Sequence, residues 1–167
     1  MGSKTLPRAD TRRPVRRRPP SPIPDLIAVP LTRAEADSAF PLARAFAPEL
    51  ALDDWLAFSA HRCATPAAGF VGIRDANGYF HGLCGYQVRL DLIDRTVLEI
   101  DLAITLDLGE RSRVAALLTH EIAALRRTLG CDAVHVRLRP HQRRLRRWFE
   151  RSAYTLRAVT FAGPAVA

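Results

Sequence analysis

"LEIDLAITLDLGERSRVAALLTHEIAALRRTLGCDAVHVRL", residues 98–138, decides how the rest of the chain is read. Its first part alternates apolar and polar residues, the period-two pattern of a strand. Its second part places Val114, Leu117, Leu118, Ile122, Leu125 and Leu129 on one helical face. Gly130 follows as a natural helix end. "CDAVHVRLR" then returns to strand character. Strand, loop, helix and strand in that order make a crossover unit, which builds parallel pairing into a sheet. The loop leads into a helix N-terminus, where outward-pointing amides can hold an anion. It carries one glycine, Gly109, followed by Arg111, Ser112 and Arg113. A second reading stays open. Ser112, or Asp107 with Glu110 three residues on, simply caps the helix.

Upstream, "LIAVPL" reads as a short strand. "TRAEADSAFPLARAF" opens with Thr32 three residues before Glu35, the form of a capping box, and predicts a helix interrupted at Pro41. "LDDWLAFSAHRC" predicts a second helix capped by Asp53 or Asp54. "GFVGIRDANGYFHGLCGYQVRL" predicts a hairpin turning at residues 75–78. "RTVLEIDLAITL" is a third long strand. Downstream, "HQRRLRRWFERSA" predicts a short basic helix and "YTLRAVTFAG" a closing strand. The order predicts an α/β domain of the α+β layered kind. Its central sheet is mixed and mostly antiparallel, with helices on both faces.

The chain has 167 residues, 48% hydrophobic and 25% charged, which suits one domain over residues 25–167. Residues 1–24 hold seven basic residues against Asp10 alone, with many prolines. Like charge and proline oppose a packed core, so this segment reads as a disordered basic arm. It accounts for most of the net charge of +8. An arm of that charge leaves nucleic acid open as a partner, although it has no aromatic residue to stack on bases. No apolar run is long enough to span a bilayer, and there is no secretory h-region, so a cytoplasmic protein is expected. Cys63, Cys84 and Cys131 are an odd, widely spaced set without a CxxC pair, which excludes a disulfide framework and a zinc motif. Buried apolar roles are expected for all three. His120 and Glu121 are followed by Ala124, so there is no HExxH metal motif. His120 is expected to face solvent and His135 to be packed or half-exposed within its strand.

Three stretches together resemble the GNAT acyltransferase superfamily over about residues 26–162: "FHGLCGYQV", the crossover quoted above, and "LRRWFERSAY". The resemblance implies acetyl-CoA as co-substrate and an amine as acceptor. It implies that the pantetheine chain lies along the backbone of Leu102, Ala103 and Ile104. The pyrophosphate would then sit on the loop and helix start, through Gly109, Arg111, Ser112, Arg113, Val114 and Ala115. The family pattern R/Q-x-x-G-x-G/A is altered here. Gly109 falls on the Arg/Gln position, Ser112 on the first glycine and Val114 on the second. A serine hydroxyl can donate to phosphate. A branched Cβ at Val114 is expected to obstruct close backbone approach. Arginine at 111 and 113 can compensate by bidentate pairing with phosphate. Gln142 takes the place of a family asparagine that helps hold the cofactor. Phe149 takes the place of the tyrosine that commonly protonates the leaving thiolate, and it has no proton to give.

For a base, Glu99 and Asp101 lie on one strand face beside the implied acyl site. The other reading is two exposed strand carboxylates, or one of them paired with Arg95. Tyr86 is a substitute acid or a plain strand aromatic. Arg143, Arg144, Arg146 and Arg147 form a basic face, either solvated or facing an anionic ligand. The function implied is an acyl-CoA-dependent N-acyltransferase. The alternative is a GNAT-like domain that binds or interacts without catalysing. The sequence specifies neither the acceptor nor the oligomeric state.

Overall fold

A computed structural model describes residues 25–106 and 112–155. The basic arm, Gly109, Arg111 and the closing strand from residue 156 lie outside them. The elements in chain order are β1 (Ile27–Pro30), a 3-10 turn (Arg33–Glu35), α1 (Ala36–Phe46), α2 (Leu52–Ala64), β2 (Ala68–Arg74), β3 (Phe80–Asp91), β4 (Arg95–Thr105), α3 (Arg113–Thr128), β5 (Ala133–Val136) and α4 (Arg143–Arg151). The strands lie side by side as β1-β2-β3-β4-β5. The first three pairings are antiparallel and β4–β5 is parallel. The parallel pair follows from the α3 crossover, as the sequence order requires.

The capping box forms, with the Glu35 carboxylate accepting from the Thr32 N–H and hydroxyl at 3.3 and 2.8 Å. It caps the 3-10 turn that leads into α1. Pro41 does not interrupt α1 but lies inside it, on the solvent face. The Asp37 carbonyl that it leaves without a helical donor can therefore be met by water. Ala51 is the residue that precedes α2, and Asp53 and Asp54 sit in its first turn rather than capping it. Acidic side chains there still complement the helix dipole. Trp55 Nε1 donates to the Ala36 carbonyl at 2.6 Å and ties α2 to α1.

Helices cover both faces of the sheet. On one face α3 and α4 pack Val114, Leu118, Ile122, Leu145 and Phe149 against Ile73, Cys84, Leu98, Ile100 and Ala103. On the other, α1 and α2 pack Ala39, Leu42 and Trp55 against Phe70, Phe80, Leu83 and Ile104. Cys84 and Cys131 are buried, and burial raises both thiols above their ordinary range. Cys63 departs from expectation. It is exposed near the end of α2, where the helix turns its outer face to water.

The strand β4 carries the irregularity that matters for the site. Gly85 pairs with Leu102 but Tyr86 pairs with Ile100, so Asp101 is an extra residue without a partner on β3. This is a β-bulge, and it flips the side-chain alternation. Leu98 and Ile100 belong to the α3/α4 core, whereas Leu102 and Ile104 belong to the α1/α2 side.

Candidate active site

β5 follows β4 only through residues 97–100, and Arg137 N–H then closes the pairing on the Ile100 carbonyl at 2.7 Å. Past that point β4 runs on for five more residues. Among the described residues, no strand pairs with this free edge of Leu102, Ala103 and Ile104. Gln142 spans the gap instead. Its Nε2 donates to the Ala103 carbonyl at 2.7 Å, and its Oε1 accepts from the Arg139 N–H at 2.8 Å. A side-chain amide thus meets one carbonyl of the edge that β5 leaves unpaired.

Asp101, the bulged residue, projects to the α1/α2 side. Arg62 reaches it from α2 and grips both carboxylate oxygens, at 3.1 and 2.5 Å. The same guanidinium donates to the Tyr86 carbonyl at 3.2 Å and lies over the rings of Phe58 and Phe70. Arg62 is only 8% exposed. Gly85 makes room for this arrangement. A Cβ there would come within 3.0 Å of Leu102 Cβ and 3.3 Å of Asp101 Oδ1. Beside the pair opens a cavity of about 290 Å³, lined by Ala43, Phe46, Ala47, Leu50, Trp55, Phe58, Asp101, Leu102 and Arg139. Among the described residues, Asp101 is the one carboxylate that lines it.

Glu99 shares that side of the sheet but is not available to a ligand in the same way. It is 4% exposed. Its carboxylate accepts from Arg137 at 2.5 Å and Gln87 at 3.0 Å, and pairs with Arg89 at 3.3 Å. Neither carboxylate is an open surface group, and Arg95 pairs with neither. Their charges are met by arginines from α2, β3 and the end of β5, contacts that join residues far apart in sequence. Tyr86 does not join them. Its side chain packs on the opposite face with the α3/α4 core, where burial raises its hydroxyl above the ordinary range.

The helix start also takes a definite form. Ser112 precedes α3 and its hydroxyl accepts from the Ala115 N–H at 3.1 Å, so capping is what this side chain does. Val114 turns its side chain inward. It is 3% exposed and turned into the core, where Cγ1 lies 2.6 Å from the point that a Cβ on Gly82 would occupy. Arg113 is exposed. Phe149 is buried, edge-on to Tyr154 with ring centroids 5.1 Å apart. Trp148 Nε1 donates to Thr119 at 3.0 Å and anchors α4 on α3. Arg143, Arg144, Arg146 and Arg147 are exposed, and Arg146 pairs with Glu150. His120 is exposed, and His135 is half-exposed with Nε2 2.8 Å from Asp94. Among the described residues no group of three or more His, Cys, Asp or Glu side chains can hold a metal, and no helix is long and apolar enough to cross a membrane.

Arg62, which pairs with Asp101, is the residue of this arrangement that the sequence reading did not single out. It reads as a basic residue in the last turn of a helix, a common solvated position. Its place seven residues after Trp55 was the one available sign, because that spacing returns to the buried stripe.

No family model matches the chain, and no curated protein matches it in sequence. Solved structures match its fold. The aminoglycoside N-acetyltransferase AAC(6')-Iy, in complex with CoA, aligns with a TM-score of 0.74 at 12% identity, covering 87% of this chain and 99% of that one. Ribosomal-protein-alanine N-acetyltransferase from Brucella melitensis biovar Abortus 2308 aligns at 0.67 with 15% identity, covering 84% and 99%. A transcriptional regulator from Bacillus halodurans C-125 aligns at 0.70 with 9% identity, covering 84% and 99%. The chain therefore has the fold of the GNAT N-acetyltransferases over most of its described length.

Proposed function

We propose that the protein is an acyl-CoA-dependent N-acyltransferase that moves an acetyl group from acetyl-CoA to a primary amine. The observation that carries this reading is the free edge of β4 opening directly beside the Asp101 cavity. A strand edge with no neighbour offers N–H and C=O groups to an amide-bearing chain, as pantetheine is. The Ala103 carbonyl already accepts an amide N–H from Gln142, so the edge suits that kind of partner.

Leu102, Ala103 and Ile104 would hold the pantetheine through their backbone, with Gln142 at its side. The start of α3, from Ser112 through Arg113, Val114 and Ala115, would face the pyrophosphate together with Gly109 and Arg111. The inward turn of Val114 favours this, because no branched side chain then stands over the helix start. The thioester supplies an activated acyl carbon, and its C–S bond breaks as the new C–N bond forms, with CoA leaving as a thiolate that takes its proton from water. Asp101 would accept the proton that the amine gives up. Arg62 engages each of its oxygens once, and a carboxylate oxygen has a second acceptor site. Glu99, enclosed by arginines, would hold Arg89 and Arg137 in place. Phe149 would serve as packing, since it has no proton to donate.

Thermal melting with and without acetyl-CoA tests the reading. A ligand present at 100 times its Kd adds about 2.7 kcal/mol of stability. A rise in Tm together with amine-dependent release of CoA thiol is the expected outcome. No shift at millimolar acetyl-CoA overturns it. Binding without thiol release across a panel of amines supports a non-catalytic module instead.

A further inference from the structure

Resting on the acyltransferase reading, we infer that the acceptor is an apolar-bodied amine that also carries a carboxylate, in the manner of a free aromatic or branched amino acid. The walls of the cavity beside Asp101 are Phe46, Trp55, Phe58 and Leu102. They offer contact to a ring or a branched chain and no hydrogen-bonding groups to a sugar. The cavity, at about 290 Å³, is just below the roughly 300 Å³ at which small-molecule sites begin, so it suits a small acceptor.

Charge narrows the class further. A polyamine or an amino sugar with several ammonium groups needs several carboxylates to meet it. Among the described residues that line this cavity there is one, Asp101. The other charged residue on the wall is a cation, Arg139. Its guanidinium carbon lies 4.7 Å from the centre of the Phe46 ring, which keeps the charge at the cavity wall. Among the described residues it makes no ion pair. An exposed guanidinium at the wall of a cavity can pair bidentately with an incoming carboxylate. Asp101 and Arg139 thus supply one negative and one positive group to the same small apolar space. A zwitterion with an apolar body is the ligand that satisfies all three features. Asp101 takes the amine, Arg139 the carboxylate, and the aromatic wall the side chain.

Calorimetric titration of the full chain with L-phenylalanine, phenethylamine and kanamycin tests this, alongside thiol release from acetyl-CoA with each. Phenethylamine lacks only the carboxylate, and kanamycin is a polycation. L-Phenylalanine is expected to bind about tenfold more tightly than phenethylamine, the value of one charge-assisted hydrogen bond. Kanamycin is expected neither to bind nor to be acetylated. Arg139→Gln should bring the phenylalanine-to-phenethylamine ratio down towards one. Kanamycin binding more tightly than phenylalanine, or an unchanged ratio in Arg139→Gln, overturns the inference. A separate acetyl-CoA titration distinguishes the two claims. Acetyl-CoA binding without amino-acid preference removes the substrate class alone. Amino-acid preference without acetyl-CoA binding removes the transferase reading and leaves the zwitterion site.

Discussion

Replacing Gly82 with alanine should strain the molecule at the start of α3. The new Cβ would lie 2.6 Å from Val114 Cγ1, 3.3 Å from the Ile104 carbonyl oxygen and 3.5 Å from Ile73 Cγ1. Carbon atoms in contact prefer roughly 3.5–4.0 Å, so Val114 would have to retreat by about 1 Å. It cannot do so by rotating, because a valine in a helix is nearly confined to one χ1 rotamer. Overpacking of this kind costs about 1–3 kcal/mol. Losing a glycine from a strand interior returns about 0.5–1 kcal/mol. The net expectation is a loss of about 1–2 kcal/mol. Val114→Ala alone should cost about 2 kcal/mol, at about 0.8 kcal/mol for each buried carbon plus a cavity contribution. In the double variant the alanine methyl at 82 occupies space that the valine methyls have left. Urea unfolding of all four proteins should therefore show the double variant at least about 1 kcal/mol more stable than the two single losses predict. Agreement with simple addition to within about 0.5 kcal/mol would refute the contact. Val114 is also the second residue of α3, so Gly82→Ala should weaken acetyl-CoA binding if the proposed phosphate position is right.

Other perturbations act on separate features. Ala153 holds φ +66° just past α4, a conformation that costs an L-residue about 1–2 kcal/mol. Ala153→Gly should raise stability by about 0.5–1 kcal/mol and Tm by roughly 1–4 °C; a lower Tm would count against that conformation. Arg62→Met leaves Asp101 unpaired near the core. Full burial would put the loss at about 3–5 kcal/mol, but the Asp101 side chain is 20% exposed, so about 2–3 kcal/mol is expected. Adding Asp101→Asn should recover part of that loss in urea unfolding, and failure to recover any would argue against the pair. The Asp75 carboxyl is held below its ordinary range, first by its hydrogen bond to His81 and then by the Tyr79 and Asn77 N–H groups. A depressed carboxylate contributes stability that is complete above its unfolded value of about 3.9 and lost as pH falls through its lower folded value. Asp75→Asn should remove that part of the acid dependence, which a comparison of Tm between pH 2 and 6 would detect.

Much of the architecture was legible because hydrophobic period reports element type directly. The hairpin, the long third strand, the α3 stripe and the crossover all follow from it. The bulge was hidden for the same reason. Leu98, Ile100, Leu102 and Ile104 alternate without a break, so period-two reading places all four on one face. A residue that drops out of pairing leaves no mark in such a string. Val114 shows two kinds of reading in conflict. Its place in the α3 apolar stripe directs it inward, whereas alignment to the glycine pattern directs it at the ligand; the stripe was right. Glu99 and Asp101 were identified as carboxylates on one side of the sheet, but their partners were not. Arg62, Arg89 and Arg137 reach them across 39, 10 and 38 positions of chain, and local sequence has no access to contacts of that range.

The bulge makes the carboxylate at position 101 part of the strand's arithmetic. With the extra residue, β4 gives Leu98 and Ile100 to one core and Leu102 and Ile104 to the other. Omitting one residue there would exchange the faces of everything on one side of the deletion, and both cores would lose their match at once. Exchanging the side chain at 101 leaves the residue count of β4 unchanged, but dropping the position does not. The chain must therefore always present some residue at the mouth of that cavity, and the fold holds open a place for chemistry whichever residue fills it.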